Sequence, residues 1–167
     1  VTMYQCAARI DRISKQMSDN MPGSDIKTIV VDSLTAIITP ITIKALIDKD
    51  KGRTKNLMSG FKDKALAMRQ LIDAVTRWGT DCLWIYHLHD ARDARANEVT
   101  TTTISDTETA RLLRCINVQL ELIETDNKRG VKILWARQGK YGMTLYDETG
   151  NWQGMPEKIE SAVYDGL

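Results

Sequence analysis

The chain has 167 residues, 43% of them hydrophobic and 27% charged, with a formal net charge of +1. That length gives one domain with room for a real core. The near-neutral balance excludes a wholesale polycation, so any nucleic-acid surface must be a local patch.

Residues 2–18 carry Met3, Cys6, Ile10, Ile13 and Met17 at spacings of three and four, the period of an amphipathic helix. The stretch from Asn20 to Asp25 breaks that period with Pro22, Gly23 and Ser24. Ile26 to Val31 reads as a buried strand, and Leu34 to Ile47 as a mostly apolar helix that Pro40 kinks or restarts. Residues 48–61 read as a mobile loop. Residues 62–78 return to helix and stop at Gly79, in C-cap position. Asp81 to Leu88 is expected to be a second buried strand, and 90–104 a second polar segment whose four threonines can pair as a strand but are expected to sit in a flexible loop.

Ser105-Asp106-Thr107-Glu108 has the form of a capping box and opens a short helix to about Cys115. Asn117 to Glu124 and Val131 to Arg137 follow as strands joined by a tight turn at 126–130, which makes them antiparallel neighbours. A hairpin is expected from Gly142–Asp147 and Asn151-Trp152 around Thr149-Gly150. Helices alternating with strands, then hairpins, define an α/β protein with an antiparallel edge. Cys6, Cys82 and Cys115 stand far apart without C-x-x-C spacing and read as reduced core thiols of a cytoplasmic protein. Two histidines and no paired cysteines argue against structural zinc. No secretory signal is evident, and no apolar run approaches the roughly 18 to 20 residues that cross a bilayer.

The most informative segment is Lys27-Thr28-Ile29-Val30-Val31-Asp32-Ser33. A run of β-branched residues that ends in an acid places one carboxylate at the carboxyl edge of a parallel sheet, where α/β proteins bind ligands. The bland alternative is a strand followed by a helix N-cap, since Asp and Ser both cap well. Between 44 and 64 there are seven basic and three acidic residues, a local excess of four positive charges.

A strand ending Val-Val-Asp-Ser-Leu-Thr, a long helix, a strand ending in a histidine, a polar loop and a terminal hairpin together resemble the RecA-like P-loop ATPases. The likeness is to small phage and bacterial ATP-binding proteins of single-strand annealing and recombination. The tail from Tyr146 to Pro156 is similar to the D-x-T-G-x-x-x-G-M-P ending of that group. The resemblance covers roughly residues 5–160 and implies a RecA-like core: a central, mostly parallel sheet flanked by helices, with an antiparallel hairpin edge. It implies ATP and Mg²⁺ as ligands, with Asp32 as the Walker B acid that orients Mg²⁺ through water and Ser33 either supporting that network or capping the next helix. His89 or His87 would sense the γ-phosphate from the adjoining strand tip. Arg137 and Lys140 would approach phosphate across a subunit interface of a ring or filament, or lie as a solvated basic hairpin. Lys49, Lys51, Arg53, Lys55 and Lys62 from the first loop, and Arg92 and Arg95 from the second, would contact single-stranded DNA, or merely be solvated. Phe61 is the one aromatic near either loop that could stack on a base.

One part of the family pattern is missing. No G-x-x-x-x-G-K-[ST] occurs in the 167 residues, and phosphates need those glycines and that lysine. The start at Val1 rather than Met leads us to expect a truncated amino terminus. The competing explanation is a non-catalytic binding or assembly module that kept the fold and lost nucleotide chemistry. Either way, the chain as written should not hydrolyse ATP at a useful rate. An unrelated α/β hydrolase using His89 and Asp32 is a third reading, weakened by the lack of a G-x-S-x-G turn.

Overall fold

A computed structural model describes residues 12–17, 19, 25–53, 58–92, 95–102 and 104–165. The chain divides into two compact units, Val1–Leu112 and Leu113–Leu167. Among the described residues the architecture is mixed α/β, with one small parallel sheet and two antiparallel ones.

In the first unit, residues 12–17 are helical, and the rest of the helix expected over 2–18 lies outside the described residues. Strand β1 (Thr28–Asp32) leads into helix α1 (Leu34–Asp50), and helix α2 (Met58–Thr76) leads into strand β2 (Asp81–Ile85). The strands β1 and β2 are parallel neighbours in the register Thr28↔Asp81 to Asp32↔Ile85, so both carboxyl ends share one edge. Apolar residues at i, i+4 and i+7 in α1 (Leu34, Ile38, Ile41) meet Met68, Leu71, Ile72 and Val75 of α2 in one buried cluster, which Val31 joins from β1. The helix α1 is continuous through Pro40; the carbonyl that loses its helical donor belongs to exposed Ala36. Gly79 closes α2 with φ of 64°, in the left-handed region expected of its C-cap position.

The two strands are not buried on both faces, as the sequence suggested. Val30 is 53% exposed and Leu83 is 52% exposed, because among the described residues helices cover one face only. Two further corrections concern the second polar segment. The second strand ends at Ile85, three residues short of expectation. The segment expected as a flexible loop is instead a β-hairpin of β3 (His89–Arg92) and β4 (Glu98–Thr101), paired His89↔Thr101 to Arg92↔Glu98. β-Branched Val99, Thr100 and Thr101 favour that outcome. Helix α3 (Asp106–Leu113) then returns to the core through Leu112.

The second unit is a three-stranded antiparallel sheet in the order β5 (Val118–Thr125), β6 (Lys128–Ala136), β7 (Thr144–Tyr146), packed on helix α4 (Met155–Tyr164). Ile133, Ala136 and Val163 form its buried centre. The β5–β6 turn holds Asp126 at φ 51° and Asn127 at φ 61°, the pair of positive values a type I′ hairpin needs. The expected second hairpin is paired differently. The strand β7 joins β6, while 147–153 forms a loop tied by Asp147, and Met155-Pro156 starts a helix.

Candidate functional site

Asp32 is the last residue of β1, and its side chain is exposed. Its carboxylate joins no ion pair or hydrogen bond among the described residues. Ser33, buried at 4% exposure, spends its Oγ as the N-cap of α1, accepting from the Ala36 N–H at 3.2 Å. Of its two sequence readings, the cap is the one the geometry displays. The Asp32–Ser33 peptide bond is cis.

Beside Asp32, β2 ends at Ile85, and His87 follows two residues later. The His87 backbone N–H donates to Thr35 Oγ1 at 2.8 Å. Thr35 lies in the first turn of α1, so this bond holds the segment after β2 against the amino end of the helix that follows Asp32. His89 belongs to β3, beyond the end of β2. Strand alternation therefore does not place the two imidazoles on one side, as the longer strand expected from sequence would have done. Both histidines are exposed. Thr35 was passed over in the sequence because a threonine inside a helix reads as filler; its place three residues after a strand-end acid was the available signal.

Arg137 and Lys140 lie in the turn after β6 and are exposed, with their polar groups engaged inside the second unit. Arg137 donates from Nε to Ile116 O at 3.1 Å and from Nη2 to Leu113 O at 3.0 Å and Arg114 O at 2.6 Å. Lys140 donates through Nζ to Asp165 O at 2.9 Å, just past the end of α4. Both cations therefore satisfy carbonyls near helix carboxyl ends, a favourable place for positive charge.

Of the residues proposed for DNA, Lys49 lies in the last turn of α1, Lys51 and Arg53 follow the helix, Lys62 lies in the first turns of α2, and Arg92 and Arg95 border the β3–β4 connection; all are exposed. Lys55 lies outside the described residues. Arg53 Nη1 lies 3.5 Å from Asp48 Oδ1. Phe61 is 43% exposed, with Lys64 Nζ 5.9 Å from its ring centre. Cys115 is exposed and Cys82 half-buried, both as free thiols; the expectation of core thiols fails for Cys115 and Cys6 lies outside the described residues.

The structure also shows a buried ion pair that sequence reading did not single out. Lys64 Nζ of α2 sits 3.2 Å from Glu108 Oε2 of α3, with side chains 9% and 3% exposed. The same oxygen accepts from the Ser105 N–H at 2.9 Å and the Ser105 hydroxyl at 3.0 Å. The capping box was legible; its lysine partner lies 44 positions earlier, at a place where helical period alone predicts an apolar residue.

Among the described residues, no group of three or more His, Cys, Asp and Glu side chains could hold a metal ion. A lone carboxylate such as Asp32 fits a metal that keeps most of its own waters, as Mg²⁺ does. No described helix is long and apolar enough to cross a membrane. No protein-family model matches this chain, and neither does any curated protein or solved structure.

Proposed function

We propose that this chain is the core of a RecA-like nucleotide-binding ATPase of phage or bacterial kind, acting on single-stranded DNA in recombination or annealing. The observation that carries the reading is the Asp32 carboxylate, exposed and uncommitted at the shared carboxyl edge of two parallel strands. Ligands of α/β proteins bind at that edge. Mg·ATP bound there would supply the phosphoryl chemistry; Asp32 would orient the metal's waters, and the segment carrying His87, hydrogen-bonded to Thr35, would respond to what occupies the edge.

A second reading, a non-catalytic module of the same fold that works by assembly or DNA contact, is favoured by one observation. No phosphate-cradling G-x-x-x-x-G-K-[ST] occurs in the sequence.

Thermal unfolding of the intact protein with and without Mg·ATP separates the two. Under the first reading, nucleotide at a hundred times its Kd stabilises the native state by about 2.7 kcal/mol, and Asp32→Ala abolishes the shift. No shift in the wild-type protein leaves only the second reading. A shift that survives Asp32→Ala removes this carboxylate from the site.

A further inference from the structure

We propose that the outer edge of β7, with the groove between it and α4, binds an extended peptide by β-strand addition, and that the peptide carries a basic residue. The inference is independent of any nucleotide chemistry, because every group it uses lies in the second unit. Among the described residues β7 is the last strand in its sheet, paired to β6 in the register Gly130↔Tyr146, Val131↔Leu145, Lys132↔Thr144.

Antiparallel strands alternate which residues direct their backbone groups at the neighbour. Ile133 N–H donates to Met143 O at 2.9 Å, and Asp147 N–H donates to Arg129 O at 2.8 Å. The Met143 carbonyl, the Asp147 N–H and the backbone of Leu145 between them are therefore directed at β6, with Gly142 rather than Met143 donating to Ile133 O at 2.8 Å. Thr144 and Tyr146 aim theirs outward, giving two N–H donors and two C=O acceptors at the spacing that an extended chain matches residue for residue. An edge of this kind is a template for another strand.

The space in front of that edge is a groove of about 580 Å³, walled on its far side by Gly154, Glu157, Lys158 and Ser161 of α4 and the turn before it. Lys158 Nζ is 3.4 Å from Glu148 Oε2, so these two lining charges offset one another. Glu157 has no ion-pair partner among the described residues, which leaves the groove one uncompensated negative charge. An incoming strand with a Lys or Arg at the facing position is complementary in both backbone and charge.

The probe is a fluorescein-labelled octapeptide alternating valine with lysine and threonine, acetylated and amidated, titrated into the full chain and followed by anisotropy. Saturable binding is expected. N-methylation of alternate peptide amides, in the frame that faces Thr144 and Tyr146, should weaken it at least about tenfold, because two hydrogen bonds are lost. Exchanging lysine for glutamate in the probe should weaken it about fivefold, and Glu157→Gln should erase most of that preference. Thr144→Pro removes an outward donor without touching the ladder to β6, a place where edge strands accept proline, and should weaken binding to a similar extent. Should that variant unfold, the methylated probe still tests the edge on unaltered protein. The proposal is overturned by failure to bind, or by equal binding of methylated and parent peptides. It is also overturned by sedimentation showing a dimer that Thr144→Pro dissociates, since a second copy would then own the edge.

Discussion

Glu108 shows at the scale of one residue how a short motif acquires a distant partner. Its carboxylate accepts from both the N–H and the hydroxyl of Ser105 and also receives Lys64, all in a position 2% exposed. A buried pair of this sort contributes little net stability as a pair, but removing one member strands the other charge in a low-dielectric site. Lys64→Met is therefore expected to cost about 3 to 5 kcal/mol. Adding Glu108→Gln should recover most of that loss, because the amide is neutral and its oxygen still accepts from Ser105. Urea unfolding of the single and double variants, compared at unchanged m-value, checks both halves. Asp147 gives a second residue-level case. The Thr149 hydroxyl, donating to Oδ1 at 2.7 Å, holds its carboxyl below the usual range, with the backbone N–H groups of Trp152 and Thr149 adding to the effect. Since the folded value is the lower one, the stabilisation is present above the carboxylate range of the unfolded chain. It disappears as pH falls through the folded value. Thr149→Val should move the Asp147 titration upward, and carbon-13 NMR of the carboxyl reads that directly.

At the scale of elements, what the sequence could express was local. The capping box at Ser105, the stop at Gly79 and the apolar stripe of α2 are each set by residues within a few positions of one another, and each formed as expected; the tight turn expected over 126–130 formed too, but narrowed to Asp126-Asn127, with β6 starting at Lys128 rather than Val131. The β3–β4 hairpin was missed because pairing His89 with Thr101 is a non-local choice that a run of charged and hydroxyl residues does not advertise. The helix α4 was missed because Met155-Pro156 reads as a motif ending rather than as a first helical turn, although Pro suits that position. The exposed faces of β1 and β2 were unreadable for another reason: β-branched runs look alike whether one face or two are covered. The candidate site divides in the same way. Asp32 at a strand end was legible, whereas the Thr35–His87 tether and the engagement of Arg137 and Lys140 with helix-end carbonyls depend on contacts across 21 to 52 positions. A close approach between elements is equally invisible in sequence, and Gly139 tests one. A Cβ there would lie 2.5 Å from Val163 Cγ1 and 2.7 Å from Val163 O. The backbone oxygen cannot swing away, and it already accepts from the Lys140 N–H at 2.9 Å. Gly139→Ala should cost about 1 to 3 kcal/mol, with amide exchange quickening first at Lys140 and along α4.

For the whole molecule, the governing quantity is a net charge of +1. A strongly cationic protein attracts DNA over its entire surface; this one has to rely on where its charges lie. If the excess of basic residues around Lys49, Lys51, Arg53 and Lys62 is a DNA surface, affinity for single strands must fall steeply with salt, by about 0.7 in log K per tenfold salt step for each phosphate neutralised. Converting Lys51 and Arg53 to Ala should then lower that slope by about 1.4, which is two contacts. The Arg53–Asp48 pair at 3.5 Å does not spoil the comparison, since its arginine side chain is 58% exposed and such pairs are worth under about 1 kcal/mol. The control is Lys128→Ala with Arg129→Ala, an equally large charge change at the exposed β5–β6 turn of the other unit. Fluorescence titrations with oligothymidine from low to moderate salt give both slopes. A reduced slope for the first pair alone makes the segment a phosphate-binding surface. Equal reductions for both pairs mean diffuse attraction, and the loop then has no special claim on DNA.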